Sequence, residues 1–347
     1  MAKFHKILTD WYQENKRDLP WRENKDPYFV WISEIILQQT RVDQGIGYFL
    51  RFKKQFPTIK SLASAQENDV LKIWQGLGYY SRARNIHFAA QQIVNEHNDK
   101  FPNTYDKIIK LKGVGDYTAS AIASIAFGLP HAAIDGNVYR VLSRIFGIKT
   151  PIDSSTGKKE FRDLADQLID SQNPGNYNEA LMEFGALQCT PKNPVCRNCP
   201  FQNQCIALSN GEINALPVKS NKIKIRHRYF NYLYIRHKPT IYLEKREGND
   251  IWQNLFQLPL IESEKSLTIE ELLLEKQFQS TFDPHQIVIE TVSKEIIHLL
   301  SHQKLHVKFI EIALLKPMNN QNWIMTHENE LGEYPLPKVI TNFLMDK

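Results

Sequence analysis

Four cysteines, Cys189, Cys196, Cys199 and Cys205, follow one another as C-x6-C-x2-C-x5-C, and the remainder of the 347-residue chain has none. Thiolates are soft ligands, and four around one centre suit an iron–sulfur cluster or a structural zinc; spacing alone does not choose between them. Upstream stand two acids in unlike surroundings. Glu34 lies in Val30-Trp31-Ile32-Ser33-Glu34-Ile35-Ile36-Leu37. A carboxyl among large apolar neighbours loses hydration, keeps its proton near neutral pH and can serve as a general acid. On a continuous helix Gln38 and Arg41 share its face at i+4 and i+7, so a surface glutamate paired with Arg41 is the plain alternative. Asp135, in Ala133-Ile134-Asp135-Gly136-Asn137-Val138, precedes an amphipathic stretch. It reads either as an ordinary helix N-cap or as a carboxylate held ionised by the helix end. A protonated acid facing an ionised one is the division of labour that breaks glycosidic bonds: one protonates the leaving group, the other stabilises or captures the sugar cation.

Between the acids runs Leu111-Lys112-Gly113-Val114-Gly115-Asp116-Tyr117. Gly113 and Gly115 permit a sharp turn with bare N–H groups, and a helix starting near Tyr117 adds its positive end. Such a hairpin cradles one phosphate without reading a base. A ligand-free αα-turn has the same signature.

These residues need a frame. Apolar spacing near three and four predicts helices over residues 28 to 39, 61 to 74, 82 to 97, 117 to 127, 137 to 146 and 158 to 170. From Ile213 to Arg228 there are five Lys or Arg, no acid, and Pro217, read as a linker, with a basic strap along a phosphate backbone as the alternative. Tyr229–Arg236, Thr240–Arg246 and His306–Leu314 read as strands, and Glu270–Gln277 as a helix. The fold class is therefore a mostly α N-terminal region followed by a smaller α+β domain. Net charge is +5, which permits a polyanionic partner without requiring one. No apolar run approaches membrane-spanning length, the N-terminus lacks a secretory h-region, and clustered cysteines fit a reducing cytoplasm.

Together the hairpin, the Ile134-Asp135-Gly136 segment and the four-cysteine tail resemble the helix-hairpin-helix DNA glycosylases, and within them the adenine DNA glycosylases of the MutY type. The resemblance rests also on Leu19-Pro20-Trp21-Arg22, Trp31-Ile32-Ser33-Glu34, Leu37-Gln38-Gln39-Thr40, Gly76-Leu77-Gly78-Tyr79-Tyr80-Ser81-Arg82-Ala83-Arg84-Asn85 and Asp135-Gly136-Asn137, and covers nearly all of residues 5 to 210. It implies a catalytic region over 1–212, made of a six-helix barrel module with the helix-hairpin-helix at about 105–125 and a cluster module formed by the N-terminal segment and 140–212. A basic linker at 213–228 and a Nudix-like domain that recognises 8-oxoguanine at 229–347 follow.

By the same resemblance the enzyme hydrolyses the N-glycosidic bond of adenine mispaired with 8-oxoguanine or guanine in double-stranded DNA, in base excision repair, leaving an abasic site. Glu34 matches the acid that protonates adenine at N7, Asp135 the group that stabilises or captures the oxocarbenium ion, and Asn137 and Tyr117 residues that position and assist them. Gln39 and Tyr79 match side chains that insert beside 8-oxoguanine, and Arg17, Leu19, Trp21 and Glu179 match the adenine pocket, with Arg22 beside them. Gly113 and Gly115 form the phosphate hairpin. The cysteines match the loop that holds a [4Fe–4S] cluster, where Lys192 and Arg197 can meet phosphate. In the second domain Ser301 and His302 match two of three residues of the lesion-recognition loop, while Leu300 departs from the aromatic found there.

Lyase-type relatives, the endonuclease III group, carry a lysine where this chain has Tyr117 and lack an acid at Glu34. Only an amine forms a Schiff base with the sugar, so the expectation is a monofunctional enzyme. A glycosylase/lyase is the enzymatic alternative, and a non-catalytic DNA-binding module with a structural cluster the non-enzymatic one. The enzyme is expected to act as a monomer in the cytoplasm, associated with the nucleoid through DNA and with no membrane.

Overall fold

The structure, a computed structural model, describes residues 2–220 and 224–347. The chain divides into two compact units, one of residues 1–65 with 85–221, the other of residues 66–84 with 222–347.

The first unit is helical. Its elements are α1 (Ala2–Asn15), α2 (Pro27–Leu37), α3 (Val42–Gln55) and α4 (Ile59–Ala63). After α5 (Glu67–Ile73), which belongs to the other unit, come α6 (Ser81–His97), α7 (Tyr105–Ile108), α8 (Asp116–Phe127), α9 (Gly136–Phe146), α10 (Ser155–Leu168), α11 (Pro174–Leu187) and α12 (Ile206–Ser209). Pro27 at the first helical position and the Asp26 side chain, which accepts from the Tyr28 N–H, start α2. Helices α8 and α9 end at Gly128 and Gly147, both left-handed. One core joins Phe4, Leu8 and Tyr12 of α1 to Val138 and Leu142 of α9, Phe161 of α10, Phe184 of α11 and Phe201. A fourteen-residue helix such as α1 is marginal alone. Three buried side chains at roughly 1.5–3 kcal/mol each dock it.

Several expected elements differ. The stretch 61 to 74 breaks at Ser64–Gln66 into α4 and α5, where the Ser64 hydroxyl takes the Lys60 carbonyl. Helix α2 stops at Leu37, and Gln39 takes φ +57°. Gln38 and Arg41 therefore do not share a helical face with Glu34, and Arg41 is exposed. Helices α1, α3 and α11 were not among the expected ones.

The second unit is built on a sheet of eight strands among the described residues: β1 (Arg226–His237), β2 (Thr240–Lys245), β3 (Phe256–Gln257), β4 (Leu260–Ser263), β5 (Ile287–Val292), β6 (Ile296–Leu299), β7 (Gln303–Leu314) and β8 (Trp323–His327). The central order is β3-β2-β1-β7-β5, with β4 on β1, β6 on β7 and β8 on β2. Only β1 and β7 pair in parallel, Arg226 opposite Gln303 through Arg236 opposite Ala313. Helices α13 (Ile269–Leu274) and α14 (Lys276–Thr281) precede β5, and α15 (Lys338–Met345) closes the chain.

Both faces of the sheet are covered. Phe230, Tyr232 and Tyr234 face a core with Val339 and Ile340 of α15, and Leu233 and Ile235 face one with Leu272 and Phe278 of α13 and α14. That double burial explains why Tyr232, Leu233, Tyr234 and Ile235 follow one another in β1 without a polar alternation. Residues 221–223 of the segment expected as a linker lie outside the described residues, and β1 begins at Arg226, three residues earlier than its composition predicts.

Candidate active site

A cleft of about 520 Å³ opens in the helical unit, lined by five elements. The segment before α2 brings Arg17, Leu19, Trp21 and Arg22, α2 brings Glu34, α8 brings Tyr117, the start of α9 brings Asp135 and Asn137, and α11 brings Glu179, Met182 and Glu183. The expected acids and adenine-pocket residues of this unit thus share one cavity. Gln39 also lies on its rim, exposed.

Glu34 is 8% exposed. The Tyr117 hydroxyl donates to its Oε2 at 2.6 Å and has the Met182 sulfur as a second acceptor at 3.1 Å. Burial pushes the Glu34 carboxyl up to about 7. The tyrosine bond opposes this, the charges of Asp135 and Glu179 add to it, and Arg22 lowers it. Tyr117 itself is raised well above its usual value, first by burial and then by Glu34 and Asp135. It is a neutral donor here, not a base.

Asp135 caps α9: its Oδ1 accepts from the Val138 N–H at 2.8 Å and its Oδ2 from Asn137 Nδ2 at 2.6 Å. The N-cap reading and the active-site reading both hold for the same carboxylate. Burial raises its pKa, and the bonds from Val138 and Asn137 with the charge of Arg140 work against that. The net shift is upward, so the helix end does not hold this carboxyl below its usual range as the position alone suggested. Asn137 is fixed in turn. Arg140 Nη2 donates to its Oδ1 at 2.8 Å and to the Gly185 carbonyl at 2.7 Å, while Arg140 Nε donates to the Cys189 carbonyl at 2.7 Å. A Cβ on Gly185 would come within 2.5 Å of the Asn137 Cβ, so only glycine lets α11 approach α9 this closely. A continuous set of contacts therefore runs from the cysteine loop to Asp135.

Glu183 was not foreseen. It is 2% exposed and accepts from the Arg17 backbone N–H, from Arg17 Nε and Nη2, and from Arg22 Nη2, all between 2.7 and 3.0 Å. Burial works to raise its pKa, but these donors hold it down at about 2. Glu179 sits 3.5 Å from Arg22 Nε. Its carboxyl is raised by burial, with Arg22 pulling the other way. The one local signal for Glu183 was its i+4 spacing from Glu179 on an acid-bearing helix.

The hairpin forms between α7 and α8. Gly113 has φ +77°, and a Cβ there would strike the Asn85 side chain at 2.6 Å. Gly115 has ordinary extended dihedrals and open space around it. Its lack of a side chain leaves the first turn of α8 approachable, while Gly113 is required by the turn itself. Asp116 is in that first turn, its carboxylate taken by the Tyr105 hydroxyl at 3.0 Å.

All four cysteines are free thiols. Burial raises Cys199 to about 11, and the charges of Cys189, Cys205 and Cys196 add to it. Arg144 Nη1 lies 3.5 Å from the Cys189 sulfur. Among the described residues no three His, Cys, Asp or Glu side chains are already arranged as a metal site.

In the second unit the turn Leu300-Ser301-His302 joins β6 to β7, closed by the Leu300 N–H on the Gln303 carbonyl at 2.8 Å. Leu300 packs partly buried on the sheet core, Ser301 and His302 are exposed, and the Ser301 and Tyr79 hydroxyls are hydrogen-bonded. A second cavity of about 480 Å³ in this unit contains Tyr79, Trp252, Leu300, Ser301 and His302. Tyr79 has φ +48°, so both side chains expected to insert beside the lesion, Gln39 and Tyr79, sit on left-handed backbone.

A helical unit with a glycine hairpin, a buried acid pair in one cleft and a four-cysteine tail defines a base-excision DNA glycosylase, and the comparisons agree. Residues 32–167 match the family model of the HhH-GPD superfamily base excision DNA repair protein, and residues 231–346 that of the NUDIX domain. A solved thermostable thymine-DNA glycosylase superposes with a TM-score of 0.56 at 27% identity, over 60% of this chain and 96% of that one. An endonuclease III in a non-covalent complex with DNA shares the fold, with a TM-score of 0.52 at 21% identity, over 60% of this chain and 97% of its own.

The adenine DNA glycosylase of Buchnera aphidicola subsp. Acyrthosiphon pisum is 33% identical over 98% of this chain and 97% of its own. The chain belongs to the adenine DNA glycosylase family. It is thus an enzyme of base excision repair, a hydrolase acting on N-glycosyl bonds, with a Nudix-like C-terminal domain. Among the described residues no helix is long and apolar enough to cross a membrane.

Proposed function

We propose that the chain removes adenine paired with 8-oxoguanine, or with guanine, from double-stranded DNA by hydrolysis alone. The observation that carries this is the Glu34–Tyr117–Asp135 cleft. A base within a duplex is out of reach and must be flipped into such a pocket. There Glu34, protonated near neutral pH because burial disfavours its charge, donates a proton to the purine leaving group at N7. Tyr117 donates to the other face of the same carboxyl and stabilises the carboxylate that forms. Asp135, held by Val138 and Asn137, stabilises or captures the oxocarbenium sugar.

Tyr117 offers no amine for a Schiff base, which favours water as the final nucleophile over the lyase course. Gln39 and Tyr79 fill the space left by the flipped base, and Gly113 and Gly115 grip a phosphate. Cys189, Cys196, Cys199 and Cys205 would hold a [4Fe–4S] cluster: an all-sulfur donor set fits it, as does the family. That cluster supplies structural closure of the loop when bound.

The test is a duplex with a single A:8-oxoguanine pair, incubated and then treated with alkali. Strand breakage at the adenine after alkali is expected, and breakage before it would indicate a lyase. Glu34→Gln is expected to slow the single-turnover chemical step by roughly two orders of magnitude or more with duplex affinity nearly unchanged. A native rate in that variant would sink the assignment.

A further inference from the structure

We propose that Glu183 is a positioning residue for this reaction: its carboxylate pins the Arg17 and Arg22 guanidinia into the cleft wall and offsets part of their charge beside Glu34. This rests on the reading of Glu34 as the acid. Its hydrogen bonds go to Arg17 and Arg22, so it acts through the two arginines.

Three observations carry it. First, the carboxylate is saturated from one side. Its Oε1 accepts from the Arg17 N–H at 3.0 Å and Arg17 Nε at 2.8 Å, and its Oε2 from Arg17 Nη2 at 2.7 Å and Arg22 Nη2 at 3.0 Å. The backbone and side chain of Arg17 are both held, which fixes the segment that carries Leu19 and Trp21. Second, Arg22 is gripped on several sides: by Glu183, by the Arg17 carbonyl at 3.2 Å, by Glu179 at 3.5 Å and by the Tyr12 ring 5.6 Å below. A planar fork held this way has one orientation. Third, both arginines line the cavity that holds Glu34. Uncompensated cations there would favour the charged carboxylate and withdraw the proton the acid must deliver.

The charged and titratable groups facing Glu34 are Tyr117 from α8, Asp135 from the start of α9, Glu179 from α11 and Arg22 from the segment before α2. Those around the Glu183 anchor are Arg17, Arg22, Tyr12 and Glu179, with Lys16 and Lys25 near Glu179. Of these, only Glu183 bonds both guanidinia that line the cleft.

The experiment is the pH dependence of single-turnover adenine release from an A:8-oxoguanine duplex, with the full-length protein and enzyme in excess. Wild type is expected to lose rate as pH rises through about 7, as Glu34 gives up its proton. Glu183→Gln keeps the shape and removes the charge, so the fall is expected about one pH unit lower. Arg17→Met removes one cation from the cleft wall, which favours the protonated Glu34, so the fall is expected at higher pH. A loss of packing alone would lower the rate in both variants without moving the midpoint in opposite directions. Should Glu183→Gln fail to fold, Arg17→Met alone decides, since Arg17 is partly exposed. Midpoints unmoved, with Glu34→Gln slow, overturn the role of Glu183 and leave the acid intact. A fast Glu34→Gln overturns the acid and this proposal with it.

Discussion

Tyr117 holds the balance of the Glu34 carboxyl. Its hydroxyl donates at 2.6 Å to one oxygen, which favours the charged form, while burial and the neighbouring acids favour the neutral one. A general acid works when protonated, so the rate falls as pH rises through about 7. Tyr117→Phe removes the donor and leaves the burial. The expected outcome is that the fall moves to higher pH while the maximal rate drops, because the nascent carboxylate loses its partner. A fall left in place in single-turnover profiles would mean that the bond does not tune the acid.

The same pair shows what local sequence can and cannot tell. Glu34 stood out because its immediate neighbours are apolar and follow a helical period. Asp135 stood out because a short acid before an amphipathic run is a cap. Glu183 did not stand out. Its partners are more than 160 positions away, and a buried carboxylate satisfied by distant arginines leaves no trace in the residues beside it.

At the level of elements, the breaks decide more than the periods. Helix α2 had to end for Gln39 to turn into left-handed backbone at the cleft rim, and periodicity, which ran on to residue 39, could not mark that end. Helix α11 escaped notice because it is buried nearly all round, with Asn178 and Glu183 interrupting its apolar rows. Yet it supplies Glu179, Met182 and Glu183, and through Gly185 it sets the approach to Asn137.

The cysteine loop follows α11 directly, and its carbonyl at Cys189 is tied by Arg140 to Asn137. Ordering the loop therefore orders the cap on Asp135. The purified protein is expected to be brown with about four irons per chain. Cys199→Ser is expected to lose iron and colour and to lose cleavage by the same fraction of molecules. Full iron content in that variant, or a colourless wild type with one zinc, would remove the cluster from the account.

On the scale of the whole molecule, catalysis and lesion reading draw on different kinds of structure. The acid pair belongs to a helical unit, with Glu34 on α2 and Asp135 at the start of α9. The turn Leu300-Ser301-His302 belongs to a twisted sheet clamped between helices, and it presents two exposed polar side chains at a strand junction. The change from helical to strand-forming composition near residue 229 made this division legible, while β3, β4, β5, β6 and β8 were too short or too exposed to show a period. Leu300 is partly buried on the sheet core, so it anchors the turn and is not presented as a wedge. In the proposed function that leaves Ser301 and His302, with Tyr79 bonded to Ser301, as the groups proposed to meet the altered edge of 8-oxoguanine. Both side chains belong to the second unit, while the cleft of Glu34 is built from the first. Ser301→Ala with His302→Ala is therefore expected to leave adenine release from A:G nearly unchanged and to slow release from A:8-oxoguanine toward it. Each lost hydrogen bond removes about 1 kcal/mol of preference, roughly a factor of five. Single-turnover rates on the two duplexes decide it: if their ratio in the double variant equals the wild-type ratio, the turn does not read the lesion.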